Sequence, residues 1–337
     1  MKKTILIVLI VILLLSFAGC KSNNAKEQSK AVATNEPAAK ETVAPVKEVE
    51  PIKIATLAGP TGMGLIGLIN DETGRYEVEV LTQPDQISPK IINKEVDIAT
   101  VPSNLAAVLF NKMGGGISVV AVNTTGVLYL LSNDDSVSSL EDIANRTVIA
   151  TGQGASPEYI FNKILSENNL DVKVEYLSAH ADLSNAMAAG DISVGLLPEP
   201  FVSITLAQNQ DLSVKVDLND EWQKIFGENA SIPMGVTIVS NDFIKANPEG
   251  LENFISDYKL SVDYVNFDTE AASKDIEAAG ILPKAAIAKL AIPRCGISFF
   301  MGETSQSMLE EFLEVLYESN PKSVGGALPG EEFYYKQ

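Results

Sequence analysis

Short apolar runs alternate with stretches of helical periodicity along the chain, from residue 52 to about residue 208. The runs at residues 52–57 and 97–101 have the length and composition of buried strands, whereas apolar residues recur at helical spacing in residues 105–113. Gly, Pro, Ser and Thr stand between these segments, as they do in turns. Strands that alternate with helices predict an α/β fold with largely parallel sheets.

Four turns each join a predicted strand to the helix that follows, and two belong to each half of this pattern. In a parallel sheet such turns lie at the carboxyl ends of the strands, where open α/β sheets bind their ligands. The helix N-termini there present unpaired N–H groups, and Thr61, Ser103 and Ser156 are predicted N-caps. The pattern favours a ligand site between two halves, although each turn alone is also explained as a helix cap. The turns cover residues 59–62, 102–104, 152–157 and 198–200.

The N-terminus has the pattern of an export signal. Lys2 and Lys3 precede an apolar run at residues 4–17, which is shorter than the ~20 residues that span a bilayer. The following Ala-Gly-Cys resembles the bacterial lipobox, which implies a signal peptide at residues 1–19 and acyl chains on Cys20. Residues 20–50 have no aromatic residue and no apolar period, and they predict a disordered tether. We therefore expect an extracytoplasmic protein held to the cell membrane by lipid.

Composition narrows the class of protein further. The remaining residues, 51–337, exceed what one compact core usually organises, so two lobes are expected. The formal net charge of −19 argues against nucleic acid as a partner. Cys295 is the only thiol besides Cys20, which excludes a metal site built on thiolates, and no cofactor motif is present. Twenty-two lysines against three arginines indicate an AT-rich genome, which fits a Gram-positive source.

Several motifs together resemble one known group of proteins: Gly-Pro-Thr-Gly-Met-Gly at residues 59–64, Asp-Ile-Ala at 97–99, residues 139–148, and Pro-Glu-Pro-Phe at 198–201. They resemble the substrate-binding proteins of ABC transporters, in the nitrate, sulfonate, taurine and thiamine-precursor-like class. The resemblance implies a two-lobed type II periplasmic-binding fold with two crossing hinge strands. It also implies a monomer that delivers a small organic solute to an ABC permease.

The resemblance also implies where the lobes and the ligand lie. Strand crossings near residues 128–132 and 236–240 give a first lobe of residues 51–131 plus 239–337, and a second of 132–238. The C-terminal helices are expected to support the first lobe, with Met308, Leu309, Phe312 and Leu316 in its core. The predicted ligand contacts are Pro60, Thr61, Gly62, Ser103, Asn104, Asn123, Thr124, Thr125, Gly154, Ala155, Ser156, Glu199, Pro233 and Met234.

The chemistry of these residues favours a neutral or zwitterionic solute, because hydroxyls and amides predominate. An ionised Glu199 inside the cleft would favour an amine or a nitrogen heterocycle, while the alternative for Glu199 is a helix cap or hinge partner. None of the three arginines falls on a predicted turn, so no guanidinium clamp for sulfonate or phosphate is expected. Trp222 and Tyr159 are read either as stacking platforms or as ordinary packing.

Two other functions remain open. Relatives on this fold include a menaquinone-pathway dehydratase and a pyrimidine synthase, so an enzyme is one alternative. The only histidine, His180, is interpreted as a solvated loop residue, with a general base as the second reading. No Ser-His-Asp set and no metal cluster is legible, and export with a lipid anchor favours capture over catalysis. The third class is a surface or signalling lipoprotein.

Overall fold

The computed structural model describes residues 50–336. The predicted signal peptide, the lipidation site Cys20 and the predicted tether up to residue 49 lie outside the described residues. Between residues 50 and 336, no helix combines the length and apolar composition needed to cross a membrane. The described chain forms two sheets with helices packed on them, which confirms the predicted α/β class.

Eleven strands build the two sheets of the described chain. In order they are β1 (Ile52–Leu57), β2 (Tyr76–Leu81), β3 (Ile98–Pro102), β4 (Ile117–Thr125), β5 (Leu128–Ser132), β6 (Thr147–Thr151), β7 (Lys173–Leu177), β8 (Val194–Pro198), β9 (Ser213–Asp217), β10 (Pro233–Ser240) and β11 (Ile297–Phe300). The first sheet has the order β11-β4-β10-β3-β1-β2, and the second has the order β7-β6-β8-β5-β9.

Thirteen α-helices pack on these sheets in the described chain. They are α1 (Pro60–Met63), α2 (Ile66–Ile69), α3 (Pro84–Ile92), α4 (Ser103–Lys112), α5 (Ser156–Glu167), α6 (His180–Ala189), α7 (Phe201–Gln208), α8 (Leu218–Phe226), α9 (Asn241–Ala246), α10 (Pro248–Phe267), α11 (Thr269–Ala278), α12 (Ala285–Ala291) and α13 (Gly302–Ser319).

The starts of three helices correct the predicted N-caps. Thr61, Ser103 and Ser156 lie inside the first turns of α1, α4 and α5, and no side chain caps these helices. The predicted caps required an extended backbone at Ser103 and Ser156. In α4 and α5 the extended chain ends one residue earlier, so each serine already has the helical conformation. The residues at the caps are Gly59, Pro102 and Ala155.

The two crossings between the sheets lie earlier in the chain than predicted. Strand β5 pairs wholly within the second sheet, and β10 pairs wholly within the first. The first crossing is therefore the turn at Gly126 and Val127, and the second ends at Ile232. Lobe one comprises residues 50–125 and 233–336, and lobe two comprises residues 128–231. The predicted boundaries at residues 131 and 238 were wrong because they placed the crossings inside these two strands.

Helix α13 connects the two lobes through their apolar core. Met308, Leu309, Phe312 and Leu316 are buried, as predicted. The helix does more than support lobe one, because one continuous apolar cluster includes α13, the lobe-one sheet and lobe-two residues of α5 and α8. The Trp222 ring of α8 lies 6.4 Å from that of Phe312.

Candidate functional site

Strand directions bring the four predicted turns to facing edges. Strands β1 and β3 are parallel, and β4, like β3, is antiparallel to β10, so all three end at one edge of the lobe-one sheet. Strand β5 is antiparallel to β8 and pairs Leu128 with Pro198, so the chain enters lobe two at the carboxyl end of β8. Strand β6 is parallel to β8 and ends at the same edge. The carboxyl edges of both sheets therefore meet at the crossings.

Turn one is shaped by a close backbone approach. A Cβ atom on Gly62 would collide with the carbonyl oxygen of Leu57, so only glycine fits this position. Beneath the turn, the hydroxyls of Thr56 and Thr100 are hydrogen-bonded at 2.5 Å and fully buried. Pro60 and Thr61 keep partial exposure, and they are the two residues of this turn that a solute can reach.

Turn two combines a buried hydroxyl with an accessible amide. Ser103 is 1% exposed, and its Oγ has no hydrogen-bond partner within residues 50–336. Asn104 is partly exposed, and its Nδ2 donates to the carbonyl oxygen of Ser323 at 3.4 Å. A buried hydroxyl without a partner has lost its hydration, so Ser103 retains an unused hydrogen-bonding capacity at the start of α4.

The polar residues at the end of β4 bond mainly to one another. Asn123 Nδ2 donates to Thr237 Oγ1 at 3.1 Å, and Thr124 Oγ1 donates to Asn123 Oδ1 at 3.0 Å. Both Asn123 and Thr124 are 2% exposed. Thr125 and Met234 are partly exposed at the crossings, whereas Pro233 is buried. In this conformation Asn123 and Thr124 stabilise the sheet edge.

At turn three, a carboxylate accepts a hydrogen bond from the backbone. The Gly154 N–H donates to Glu158 Oε2 at 2.6 Å, so this N–H is already used. Gly154 and Ala155 are exposed, whereas Ser156 is buried. The negative charge of Glu158 at the start of α5 disfavours an anion at this turn.

Turn four places Glu199 in a buried ion pair. Its Oε1 lies 2.6 Å from Arg294 Nε, and it accepts hydrogen bonds from the backbone N–H and the hydroxyl of Ser203. Burial raises the pKa of the Glu199 carboxyl above its ordinary value, and the Arg294 guanidinium opposes that rise. Glu199 therefore bonds the first turn of α7 and pairs with Arg294, so it is not the free carboxylate that would favour an amine.

Arg294 is the residue that sequence reasoning missed. Its guanidinium belongs to lobe one, yet Nε bonds Glu199 and Nη2 bonds Ser203 Oγ at 2.8 Å, both in lobe two. No arginine falls on a predicted turn in the sequence, but the fold brings Arg294 to Glu199 on turn four. No local signal identified this contact, because the two partners are separated by 95 positions in the sequence.

His180 also lies closer to the site than predicted. It begins α6 and is half-buried, and its Nδ1 is hydrogen-bonded to Thr151 Oγ1 at 2.6 Å at the end of β6. Its ring lies 5.3 Å from that of Phe201, the first residue of α7. Burial lowers the pKa of His180 below its ordinary value of 6.5. The interpretation as a solvated loop residue was therefore wrong.

The two aromatic candidates are packing residues in this structure. Trp222 is fully buried, and its Nε1–H donates to Glu311 Oε1 at 2.9 Å. Tyr159 is 8% exposed, and its hydroxyl accepts from Asn320 Nδ2 at 3.0 Å. Both contacts join lobe two to α13 or to the residue after it, so they fix the lobes relative to each other.

A separate cavity of about 650 Å³ lies between the end of α8 and the start of α13. Its lining includes Glu228, Glu311 and Met308, and none of the predicted ligand contacts. The turns are the stronger candidate, because they bring helix N-termini from both sheets together. In the part of the chain that the structure describes, no three His, Cys, Asp or Glu side chains converge to hold a metal ion.

The chain is similar to several solved structures. An ABC transporter from Parabacteroides distasonis has 24% identity and a TM-score of 0.73, covering 86% of this chain and 100% of the other. The periplasmic aliphatic sulphonate-binding protein SsuA from Escherichia coli has 15% identity and a TM-score of 0.65, covering 86% and 92%. The periplasmic nitrate-binding protein NrtA from Synechocystis PCC 6803 has 12% identity and a TM-score of 0.55, covering 81% and 82%. These similarities confirm the two-lobed periplasmic-binding fold.

Sequence comparisons point to a family on the same fold. Curated protein sequences give no match. The family model described as menaquinone biosynthesis matches residues 62–318, which is well over half of the chain. The matched region contains turns two, three and four and both crossings. The chain therefore belongs to the menaquinone biosynthesis family, on the fold that it shares with the solute-binding proteins of ABC transporters.

Proposed function

We propose that this protein captures a small organic solute between its two lobes and delivers it to an ABC permease. The observation that carries the proposal is the meeting of the two carboxyl edges at the crossings, with two turns from each lobe. The similarity to the sulphonate- and nitrate-binding proteins supports it, since each of those proteins binds a small solute by its printed name.

The groups that a solute can reach favour a neutral or zwitterionic molecule. Thr61, Asn104 and Thr125 offer hydroxyls and an amide at partly exposed positions. The charge of Glu199 is balanced by Arg294, and Glu158 occupies the N–H of Gly154. Glu199 is therefore not a free charge that would select a cation, the negative charge of Glu158 disfavours an anion, and a few placed polar groups set the orientation of the solute.

The cellular setting of the proposal is an extracytoplasmic monomer anchored through acyl chains on Cys20. The apolar run and the Ala-Gly-Cys sequence support this part, and they precede the described residues. A tethered binding protein would hold its solute close to the permease, which raises the effective concentration of the pair.

Native mass spectrometry of the protein isolated from its own cells tests the proposal directly, because a retained solute reports its own mass. Thermal melts against a metabolite panel then measure affinity. Solute at 100 times its dissociation constant should stabilise the protein by about 2.7 kcal/mol. No retained molecule and a flat response across the panel would contradict solute capture and would favour a surface or signalling lipoprotein.

A pair of matched variants locates the site. Thr61→Val removes a hydroxyl from turn one, and we expect about tenfold weaker binding if the solute bonds to it. Thr304→Val makes the same change in the wall of the cavity between α8 and α13, and it should leave affinity unchanged. Weaker binding in Thr304→Val and unchanged binding in Thr61→Val would indicate that the solute binds in that cavity instead.

A second candidate function is catalysis on the same fold. The family match and the position of His180, half-buried beside turn three with Nδ1 bonded to Thr151, favour it specifically. A neutral imidazole at a ligand site is a competent general base. Incubating the retained molecule with the protein separates the two functions. A binding protein returns the molecule unchanged, whereas a dehydratase returns it lighter by one water, and His180→Gln then stops the conversion.

A further inference from the structure

The first crossing between the lobes has an unusual backbone. Gly126 and Val127 both have left-handed φ values, 71° and 69°. Glycine adopts this conformation freely, but a β-branched residue does so rarely, because its side chain crowds the neighbouring carbonyl group. Val127 is also buried, at 5% exposure. The crossing is therefore strained at the point where the chain passes from one lobe to the other.

Three backbone hydrogen bonds hold this strained segment in place. The Gly126 N–H donates to the carbonyl oxygen of Ile232 on the second crossing at 2.9 Å. The Val127 carbonyl accepts from the N–H of Glu199 at 2.8 Å, and the Thr125 N–H donates to the carbonyl oxygen of Gly296 at 3.0 Å. The crossing is thus fixed on one side by lobe two and on the other by lobe one.

The ion pair between Glu199 and Arg294 connects the segments of the two lobes that supply these hydrogen bonds. Glu199 bonds Val127 through its backbone and Arg294 through its carboxylate. Arg294 lies two residues before Gly296, and its own carbonyl accepts from the hydroxyl of Tyr129 in lobe two at 3.0 Å. The Glu199 side chain is fully buried and that of Arg294 is 29% exposed. Removing one partner of such a pair is destabilising, because it leaves the other charge buried without compensation.

We infer that the Glu199–Arg294 pair is a lock on the first crossing, which keeps Gly126 and Val127 in their left-handed conformation. With the lock intact, the two lobes are held in the observed arrangement by contacts of the protein itself. Without it, Val127 relaxes toward an extended conformation and the backbone bonds at the crossing open. The inference goes beyond solute capture and does not rest on it, because it concerns the unliganded chain.

Hydrogen–deuterium exchange of the full chain tests the lock. Arg294→Met removes the charge and keeps most of the aliphatic stem. We expect the amides of Gly126 and Glu199, which donate across the crossing, to exchange about tenfold faster or more. Amides within β1 should keep their wild-type rates, which separates local opening from general destabilisation. Glu199→Gln provides a second break of the same pair, with the same expected result.

The matched control is Arg146→Met. Arg146 pairs with Asp134 at 2.7 Å, with both residues inside lobe two. The Arg146→Met variant should leave hydrogen exchange at the first crossing unchanged. Equal rates at Gly126 and Glu199 in Arg294→Met and Arg146→Met would overturn the inference, and so would a uniform acceleration along the whole chain. Either result would leave the proposed solute site untouched.

A suppressor variant tests the role of strain. Val127→Gly allows the left-handed conformation without crowding. In the Arg294→Met background it should slow exchange at Glu199 back toward the wild-type rate, because the crossing no longer gains by relaxing. Faster exchange in the double variant than in Arg294→Met alone would show that strain at Val127 does not drive the opening, and the lock as stated would be rejected.

Discussion

His180 links its position in the fold to a pH dependence of stability. Burial lowers the pKa of its imidazole below 6.5, so the unfolded chain binds a proton at a higher pH than the folded chain does. The contribution of this group is therefore complete above the unfolded value and is lost as the pH falls from about 6.5 through the folded pKa. We expect the free energy of unfolding to fall more steeply from about pH 7.5 to about pH 5 in the wild type than in His180→Gln.

Urea unfolding at the two pH values measures this difference. The comparison with His180→Gln is needed because Glu199 and Asp217 carry raised pKa values and act in the opposite direction. Their contribution is the same in both proteins and cancels in the difference. Parallel pH profiles for the two proteins would show that the pKa of His180 is the same in the folded and the unfolded state.

Gly62 tests how closely turn one is built. In Gly62→Ala the new Cβ collides with the Leu57 carbonyl oxygen, and the backbone has to move. We expect a destabilisation of about 1–3 kcal/mol, the range for overpacked sites. Gly116→Ala is the control, since its Cβ makes ordinary contacts of 3.4 Å and longer. Urea unfolding should show it near neutral, and an equal loss in both variants would contradict the close approach.

Single residues of the candidate site also show which of its features can be predicted from the sequence. The positions of the turns were predictable, because Gly, Pro and Ser at strand ends act through local backbone preferences. The partners of Glu199 and His180 were not, because Arg294 and Thr151 reach them only after the chain has folded. Side chains that pair across a long stretch of the chain leave no periodic pattern in the sequence.

At the scale of elements, α13 determines whether the lobes unfold together. Phe312 is 1% exposed in the apolar cluster that contains residues of both lobes. Phe312→Ala should cost about 3–5 kcal/mol and lower the stability of both lobes in one transition. Glu314→Ala, at an exposed position of the same helix, should change stability little. Calorimetry that resolves two transitions in Phe312→Ala, one unshifted, would contradict the shared core.

The elements themselves were largely predictable, and the crossings were not. Alternation of apolar runs and helical stretches identifies strands such as β1, β3 and β8, because burial on both faces requires continuous apolar residues. The crossing at Gly126 and Val127 depends on two left-handed residues, one of them valine. Valine strongly favours extended backbone, so the sequence indicates a strand where the chain turns.

On the scale of the whole molecule, chain direction explains why two sheets yield one candidate site. The chain leaves lobe one at the carboxyl end of β4 and enters lobe two at the carboxyl end of β8. It returns from the carboxyl end of β9 to the amino end of β10, at the same edges. Both passages therefore lie at the sheet edges where the four turns are found.

Anchoring to the membrane through Cys20 is a prediction from the sequence that concerns the whole molecule. If the Ala-Gly-Cys sequence is processed as a lipobox, the Cys20 thiol carries acyl chains, and each buried methylene contributes about 0.8 kcal/mol to membrane binding. Cells grown with radiolabelled palmitate should label the wild-type protein, and Cys20→Ser should abolish the label. Cys295→Ser is the matched control, since that thiol is fully buried in lobe one and should not affect acylation. Label retained in Cys20→Ser would place the acyl group elsewhere, whereas an unlabelled wild-type protein would contradict the predicted lipid anchor.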